Sequence, residues 1–522
     1  MVRLRAVRRP AELSGSGDGT RRSIALGVLC TLLFLTFLDS TIVSVGLGDV
    51  QARLHADVGQ LQWIVAAYTL TFASIMLACG MIGDELGRKK VMLSGAGVFC
   101  AGSIMCAVAP DARLLIAGRA VMGLGAAASE PGTLSMLRHL YPEERERSRA
   151  IGVWAATSGF ALAVGPLIGG ILIGAWSWRG IFWFNLAFGL AALVVAAITL
   201  PESADPTAAR VDTAGTLLGA GALATLVFGI ILAETDGFGA ANVIELLCLS
   251  VVMIVAFVLW ERRAARPLLD LRYFRVPAFT TGNIAAFCTY FAAFAIFFFT
   301  ALYLVEVANA SGYRLALVFL PMTALMIMAS LLAGRWTAVI GPRWSIASGC
   351  TLFAIGLFLA NDYLKPHPDY GPLIVALALA GVGMGTTVVP ITSAVMSSVP
   401  AERSGMAASA ANTSRVVGAA TGVAVLGSLV NSQLHTSLVT RMNHIGVPQI
   451  FQSQVLNALE TGQIPQNPNV SPSIRQEVNE VINAAYQAFH DGLQVALYLS
   501  AGLALLAGLL ALVTLRSGRS GG

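Results

Sequence analysis

Long apolar runs alternate with short polar segments along nearly the whole chain. Each run is about as long as the roughly 20 residues that a helix needs to cross a lipid bilayer. Fourteen runs meet this length, near residues 24–47, 60–80, 91–109, 114–136, 150–174, 180–200, 214–233, 243–260, 279–304, 315–334, 345–361, 372–396, 408–430 and 492–515. The pattern predicts an all-α polytopic membrane protein with 14 transmembrane helices, which we number as spans 1 to 14.

The composition agrees with this prediction and excludes several other classes of protein. Of all residues 56% are hydrophobic and 12% are charged, whereas a soluble domain carries about 25% charged residues. The seven cysteines all lie in apolar runs and the six histidines all lie in polar connections, so neither type forms a metal-ligand or disulfide pattern. No phosphate-binding Gly-x4-Gly-Lys-Ser/Thr loop is present. We therefore expect that the protein is not an enzyme and that it binds no cofactor, no metal and no nucleic acid.

The distribution of Lys and Arg predicts the orientation in the membrane. An even number of spans places both termini on one side, and 24 of the 33 basic residues lie there. Seven lie on the opposite side, and the other two, Arg119 and Arg415, lie inside spans. Because basic loops stay in the cytoplasm, we expect both termini to be cytoplasmic and the protein to lie in the inner (cytoplasmic) membrane. The first run is too long for a signal-peptide core, so we interpret it as a transmembrane helix that is retained in the mature protein.

An internal repeat relates the two ends of the chain. The residues that recur are Pro142, Glu144 and Arg145 as Pro400, Glu402 and Arg403, and Gly80 and Gly87 as Gly334 and Gly341. Asp84 has no acidic counterpart, since Ala338 stands in its place. Two parallel repeats of six helices are a plan of secondary transporters, in which the substrate site lies between the halves.

The repeat divides the chain into five parts. They are a basic tail (1–23), a six-helix bundle (24–200), a two-helix insert with its linkers (201–276), a second six-helix bundle (277–515) and a short tail (516–522). Residues 431–491, between spans 13 and 14, are polar and predict a long extracytoplasmic loop with a lid-like helix. A dedicated binding role for this loop stays open.

Five motifs follow one another in the first half. They are residues 38–43 in span 1, Gly80, Asp84, Gly87, Arg88 and Lys89 in the loop 80–90, residues 118–127 with Arg119, then Gly165, Pro166, Gly169 and Gly170, and finally residues 178–185. In this order and at these spacings the chain resembles the major facilitator superfamily, specifically its branch of 14-span drug:proton antiporters. It departs from that branch at Gly48, Met122 and Ala187, and it carries an additional acid, Glu130.

The resemblance implies a fold and a function. The fold would be two six-helix bundles with two inserted helices. The protein, expected as a monomer, would export small amphipathic or cationic compounds, as in drug or antibiotic efflux, in exchange for protons. Its partners would be the small-molecule substrate, protons and the lipid bilayer. The departures keep an alternative open, which is an exporter of a dedicated endogenous metabolite, lipid or siderophore.

Two charges lie at similar depth in the outer half of the first bundle. At about 1.5 Å per residue, Asp39 is roughly 25 Å beyond Arg22, and Arg119 is roughly 9 Å inside the outer end of span 4. Because a lone charge inside the membrane is costly, we expect Asp39 and Arg119 to pair or to share water. Two interpretations stay open: Asp39 is a protonation site whose pKa Arg119 sets, or the two residues form a static ion pair.

Further polar and aromatic residues are candidates for the transport path. Glu130 follows Arg119 by 11 residues, nearly on the same helix face, with small residues between them that predict a smooth cavity wall. Glu130 is read as a second proton site, as a selector for cations, or as a snorkelling or capping acid. Arg415 must face the interior, and its partner stays unnamed. For the aromatic residues Trp63, Tyr68 and Trp154 two interpretations stay open: they line a cavity, or they only pack against neighbouring helices.

Two motifs have roles that the resemblance implies. The small residues around Pro166 permit close helix contact, and in the family this contact blocks leakage and favours exchange over symport; packing alone is the alternative. Asp84 would face the start of span 13 and latch the cytoplasmic gate while the protein faces outward. Because the second copy has Ala338, the latch would act on one side only.

Overall fold

A computed structural model describes residues 16–56, 58–203, 212–264, 267–308, 312–365, 368–400, 403–445, 452 and 472–515. In these ranges every regular element is a helix. The fold is therefore all-α there, as the apolar runs predict.

Eight helices form the first half and the insert. Their bounds are α1 Ser16–Leu54, α2 Val58–Leu86, α3 Arg88–Ala107, α4 Ala112–Leu140, α5 Glu144–Ala175, α6 Arg179–Thr199, α7 Thr213–Asp236 and α8 Ala241–Arg263. A linker follows α8 and contains the 3₁₀ helix Leu271–Arg275. Helices α7 and α8 are the predicted insert.

Six helices form the second half. Their bounds are α9 Pro277–Phe294, α10 Thr300–Glu306, α11 Gly312–Tyr363, α12 Tyr370–Ser397, α13 Ser404–Ile445 and α14 Pro472–Thr514. A π-helical turn, Ala295–Phe299, joins α9 to α10, so these elements together cover span 9. Helix α11 covers spans 10 and 11, since Gly341 (φ 82°) interrupts it with a non-helical conformation.

The described helices cover all the predicted spans. Eleven helical segments there are long and apolar enough to cross a membrane, while the count of 14 stays a prediction. Residues 431–445 and 472–491 are helical, so the connection between α13 and α14 is shorter than the predicted loop. These two ends pack through a small apolar cluster and through Arg441, which lies 2.9 Å from Asp491. Residues 431–445, which the polar sequence predicted as loop, are the last part of α13. The predicted lid-like helix from residue 473, expected to continue into the last span, is the first part of α14.

The two halves are packed together on one side of the bundle. We call this the terminus side, because α1 begins and α14 ends there; the hydroxyls of Thr281 and Thr514 are 2.6 Å apart at this level. One large apolar cluster on this side joins both halves, for example Leu137 with Met396 and Met406. Two other large clusters each draw their buried members from a single half. The terminus side is therefore closed in this conformation.

Candidate functional site

A buried ion pair links α1 to α4. Asp39 is 0% exposed and Arg119 is 1% exposed, and Arg119 Nη1 donates to Asp39 Oδ2. The other carboxylate oxygen accepts a 2.7 Å hydrogen bond from Asn185 Nδ2 on α6. Arg119 Nε donates to the carbonyl oxygen of Ile64 at 2.9 Å. Both charges thus have the partners that a buried ion pair requires.

The ring of Tyr68 packs against the arginine of this ion pair. The guanidinium of Arg119 lies 4.5 Å from the centre of the Tyr68 ring, and the Tyr68 hydroxyl donates to the carbonyl oxygen of Thr36 at 3.1 Å. Trp63 lies instead against Phe228 of α7, with ring centres 5.1 Å apart, so its ring packs against the insert. The predicted smooth wall is also a packing surface in part, since a Cβ at Gly123 would lie 2.4 Å from the Tyr68 carbonyl oxygen.

Glu130 is a second buried acid, farther toward the terminus side on α4. It is 2% exposed, and its Oε2 atom bonds no group in the described part of the chain. Burial inside the helix, nine residues or more from either end of α4, excludes the snorkelling and capping interpretations. The cation that acts on it is Arg415, across the interface between the halves.

Arg415 is held by side chains from both halves. It is 2% exposed; its Nη1 donates to Asn412 Oδ1 at 2.8 Å, and its Nη2 donates to Thr392 Oγ1. Its guanidinium lies 5.4 Å from the Trp154 ring centre and 5.6 Å from the Tyr290 ring centre. Arg415 therefore has polar and aromatic partners, while Glu130, on which its charge acts, has one oxygen unbonded in the described part of the chain.

Sequence reasoning missed several of these partners. Asn185 lay in a quoted motif without a role. Asn412 precedes Arg415 by three residues, a spacing that places side chains next to each other on a helix, so it could have been found. Thr392 and Tyr290 lie on other helices, and no local pattern connects them to Arg415.

Residues 80–90, predicted as a loop, are the end of α2 and the start of α3 with Gly87 between them. This segment, for which we keep the name loop 80–90, contacts the start of α13. The Asp84 carboxylate accepts hydrogen bonds from the backbone N–H groups of Gly405 and Met406, and Arg88 Nε donates to Asp84 Oδ1 at 2.8 Å. The approach is close, because a Cβ at Gly80 would lie 2.7 Å from the Gly405 carbonyl oxygen. An acid here also meets the positive end of the α13 dipole.

The residues after α6 brace the same loop. Gly87 has φ 107°, a conformation that favours glycine. Arg88 Nη1 donates to Ser203 Oγ at 3.0 Å, and the Lys89 backbone N–H donates to Glu202 Oε1 at 3.2 Å. Lys89 Nζ also donates to the Ala197 carbonyl oxygen at 2.7 Å. Glu202 and Ser203 thus fix the basic end of the loop, a role that sequence reasoning did not assign.

Further bonds cross between the halves on the terminus side. Arg138 on α4 donates to the carbonyl oxygens of Met396 and Val399, the latter at 2.8 Å. The hydroxyls of Ser135 and Ser404 are 2.9 Å apart. Together with Asp84, these contacts connect α4 and α2 to the ends of α12 and α13.

The glycine motif of α5 faces in two directions. A Cβ at Gly165 would lie 2.0 Å from Thr41 Oγ1, and one at Gly169 would lie 3.0 Å from the Ile42 carbonyl oxygen, so both glycines pack against α1 beside Asp39. A Cβ at Gly170 would meet no described atom within 4 Å. The side chain of Pro166 lies outside the described part of the structure.

Comparisons with known proteins agree with this architecture. Residues 29–423 match the family model of the Major Facilitator Superfamily. The chain is 33% identical to the multidrug resistance protein Stp of Mycobacterium tuberculosis, over 89% of this chain and 87% of that protein. It is 33% identical to the methylenomycin A resistance protein of Streptomyces coelicolor, over 79% and 88%. The human organic anion transporter MFSD10 shares the fold (TM-score 0.60, 14% identity, 95% and 100% coverage).

Proposed function

Because the chain belongs to the Major Facilitator Superfamily, a family of transporters, we propose that it is a drug efflux antiporter of the inner membrane. It exports small amphipathic or cationic compounds in exchange for protons, with both termini in the cytoplasm. The observation that carries this proposal is the buried Glu130 carboxylate, which has an unbonded oxygen and interacts electrostatically with Arg415 of the opposite half. The relatives named for drug and antibiotic resistance support the substrate class.

Glu130 gives a physical reason for exchange. An ionised carboxylate that is buried without a full set of partners is costly, so a proton or a cationic group of the substrate stabilises it. One carboxylate cannot hold both at once. Release of substrate to the outside therefore accompanies proton uptake, and release of the proton inside accompanies substrate binding.

Asp39 is the second proposed proton carrier. In its ionised form it holds Arg119 and Asn185. Protonation removes the charge that attracts Arg119, while Arg119 keeps the Ile64 carbonyl oxygen and the Tyr68 ring. The contact between α1 and α4 therefore weakens, while the buried charge of Arg119 keeps these other partners. Gly165 and Gly169 keep α5 against this part of α1, which supports their proposed role in preventing leakage.

Proton entry supplies enough free energy for such a cycle. One charge moving through 100 mV contributes about 2.3 kcal/mol, and one pH unit contributes about 1.4 kcal/mol. One proton can thus sustain roughly a few hundredfold gradient of a neutral compound, since about 1.4 kcal/mol corresponds to a tenfold ratio.

Asp84 is proposed as the latch of the cytoplasmic gate. Its bonds to the start of α13 exist in a conformation whose terminus side is closed. Movement of the halves apart on that side must break them. The loop 80–90 then controls access to the site and does not bind the substrate.

A narrower substrate range is the competing proposal. The relative from Streptomyces coelicolor is named for resistance to one antibiotic, and the Glu130–Arg415 cluster suits a single dedicated product as well as a group of drugs. A panel of unrelated dyes and antibiotics distinguishes the two, because a dedicated exporter transports none of them or only one chemical class.

The test of the main proposal is dye efflux from a pump-deficient host. We expect wild-type cells to export ethidium, a protonophore to stop the export, and Asp39→Asn to reduce it at least tenfold. Asp49→Asn is the control on the same helix, since Asp49 bonds Arg53 and the backbone of Trp178 near the outer end. Export that persists with the protonophore, or in well-inserted Asp39→Asn, would show that proton exchange is wrong.

A further inference from the structure

The inserted helices lie across the junction between the two halves. Helix α7 packs against α2 of the first half and against α13 of the second half. Leu77 of α2, Phe257 of α8 and Leu268 of the linker form one apolar cluster. The insert therefore covers the α2–α13 junction and is not a peripheral addition to the bundle.

The linker after α8 is fastened on the terminus side. Leu269 donates its backbone N–H to Glu261 Oε2 at 3.3 Å, which ties the linker to the end of α8. The next residue, Asp270, has a side chain that is 5% exposed and lies 2.7 Å from Arg403 Nη1. Asp270 also accepts hydrogen bonds from the side chain of Arg272, at 2.9 Å.

Arg403 places this contact at the gate. It directly precedes α13, whose residues Gly405 and Met406 bind Asp84. Its guanidinium also lies 5.9 Å from the centre of the Tyr273 ring in the linker. The start of α13 is thus held by one acid from the first half and by a second acid from the insert linker.

We propose that α7, α8 and the linker through Arg275 form a clamp that stabilises the closed terminus side, with Asp270 and Arg403 as its positioning residues. The clamp thus adds a second acidic contact at the start of α13, beside that of Asp84. The clamp pulls α13 toward α2, whereas opening must move α13 away from α2. Its loss therefore favours the open terminus side.

Spin labels on the two halves measure this effect directly. Glu144 at the start of α5 and Ser397 at the end of α12 are exposed residues on the terminus side. Both are replaced by labelled Cys in a Cys248→Ser background, because Cys248 is the exposed cysteine of the described chain. Electron spin resonance on the protein in proteoliposomes then gives the populations of short and long label distances.

We expect Asp270→Asn and Arg403→Gln to shift the closed-to-open ratio about two- to fivefold toward the long distance, since partly exposed ion pairs have effects of this size. Arg403→Lys, which keeps the charge, should restore most of the closed population. Arg272→Gln is the matched control. Arg272 is the other partner of Asp270 and its own side chain is 79% exposed, so its loss should leave the ratio unchanged. The dissociation constant for ethidium should stay within twofold in all four variants, while the maximal transport rate changes in Asp270→Asn and Arg403→Gln only.

Unchanged distances in Arg403→Gln, or an equal shift in Arg272→Gln, would overturn the clamp. If Asp270→Asn fails to insert, the comparison of Arg403→Gln with Arg403→Lys still decides. The distance measurement needs neither a substrate nor a proton gradient. The clamp can therefore fail while proton-coupled export stands, and the reverse also holds.

Discussion

The contact between Asp84 and the start of α13 makes a quantitative prediction about the gate. Asp84→Asn keeps one oxygen acceptor and the size of the side chain but removes the charge and one acceptor. Each hydrogen bond to a charged group contributes about 1.5–3 kcal/mol, and Asp84 accepts two from α13 and others from Arg88. Counting one lost bond, about 2 kcal/mol, the closed-to-open ratio should fall about 30-fold.

The assay separates the proposed gate from the proposed substrate site. Initial efflux rates should fall at least tenfold in Asp84→Asn, because a protein that stays open on the terminus side resets slowly. The dissociation constant for ethidium should stay within twofold, since Glu130 and Arg415 are untouched. Glu85→Gln removes the neighbouring acid of the same loop and serves as the control. Lost ethidium binding in well-inserted Asp84→Asn, or unchanged efflux, would refute the latch.

Three further predictions concern charge, packing and pH. In fluorescence titrations, Glu130→Gln should raise the dissociation constant for ethidium at least tenfold and change that for a neutral dye by less than twofold. Equal weakening of both would contradict cation selection. Gly165→Ala should destabilise the purified protein by about 1–3 kcal/mol through overpacking and raise proton leakage in vesicles, whereas Gly170→Ala, with open space for its methyl group, should do neither. Hydrogen bonding from Arg272, together with the charge of Arg403, lowers the pKa of Asp270 against the effect of burial. The Asp270 carboxylate therefore contributes to stability above its unfolded pKa of about 3.9, and this contribution disappears as the pH falls through the folded pKa. The difference in melting temperature between wild type and Asp270→Asn should be constant from pH 8 to 5 and vanish in stronger acid, and a loss of the difference near pH 6 would contradict the prediction.

The sequence predicted the features that depend on position along the membrane normal. Hydropathy located the helices because bilayer thickness fixes their length. Depth along each helix brought Asp39 and Arg119 to one level, where the structure pairs them. The glycines of the loop 80–90 indicated a close approach, and the structure places Gly80 against Gly405.

Features that depend on which helix faces which were not predictable from one sequence. Lipid tails are as apolar as leucine, so hydropathy does not tell a lipid-facing surface from a helix-facing one. For this reason the sequence left open whether Trp63 lines a cavity or only packs, and the structure places its ring against Phe228. The contacts of Arg415 with Tyr290 and of Asp270 with Arg403 join residues more than 120 positions apart, and no periodic pattern connects them.

Helix α13 physically joins the proposed gate to the proposed substrate site. Gly405 receives Asp84, and Arg415 faces Glu130 ten residues later, about 15 Å along the same helix. A continuous helix transmits a displacement of one end to the other, and coupling between distant sites requires such an element with two arrangements. In the proposed cycle, protonation of Glu130 changes the attraction on Arg415 and thereby biases α13 toward or away from the first half. The same displacement stretches or relaxes the bonds of Asp84 and of Arg403. A change at Glu130 should therefore alter the closed population even in Asp84→Asn, unless α13 bends between Gly405 and Arg415.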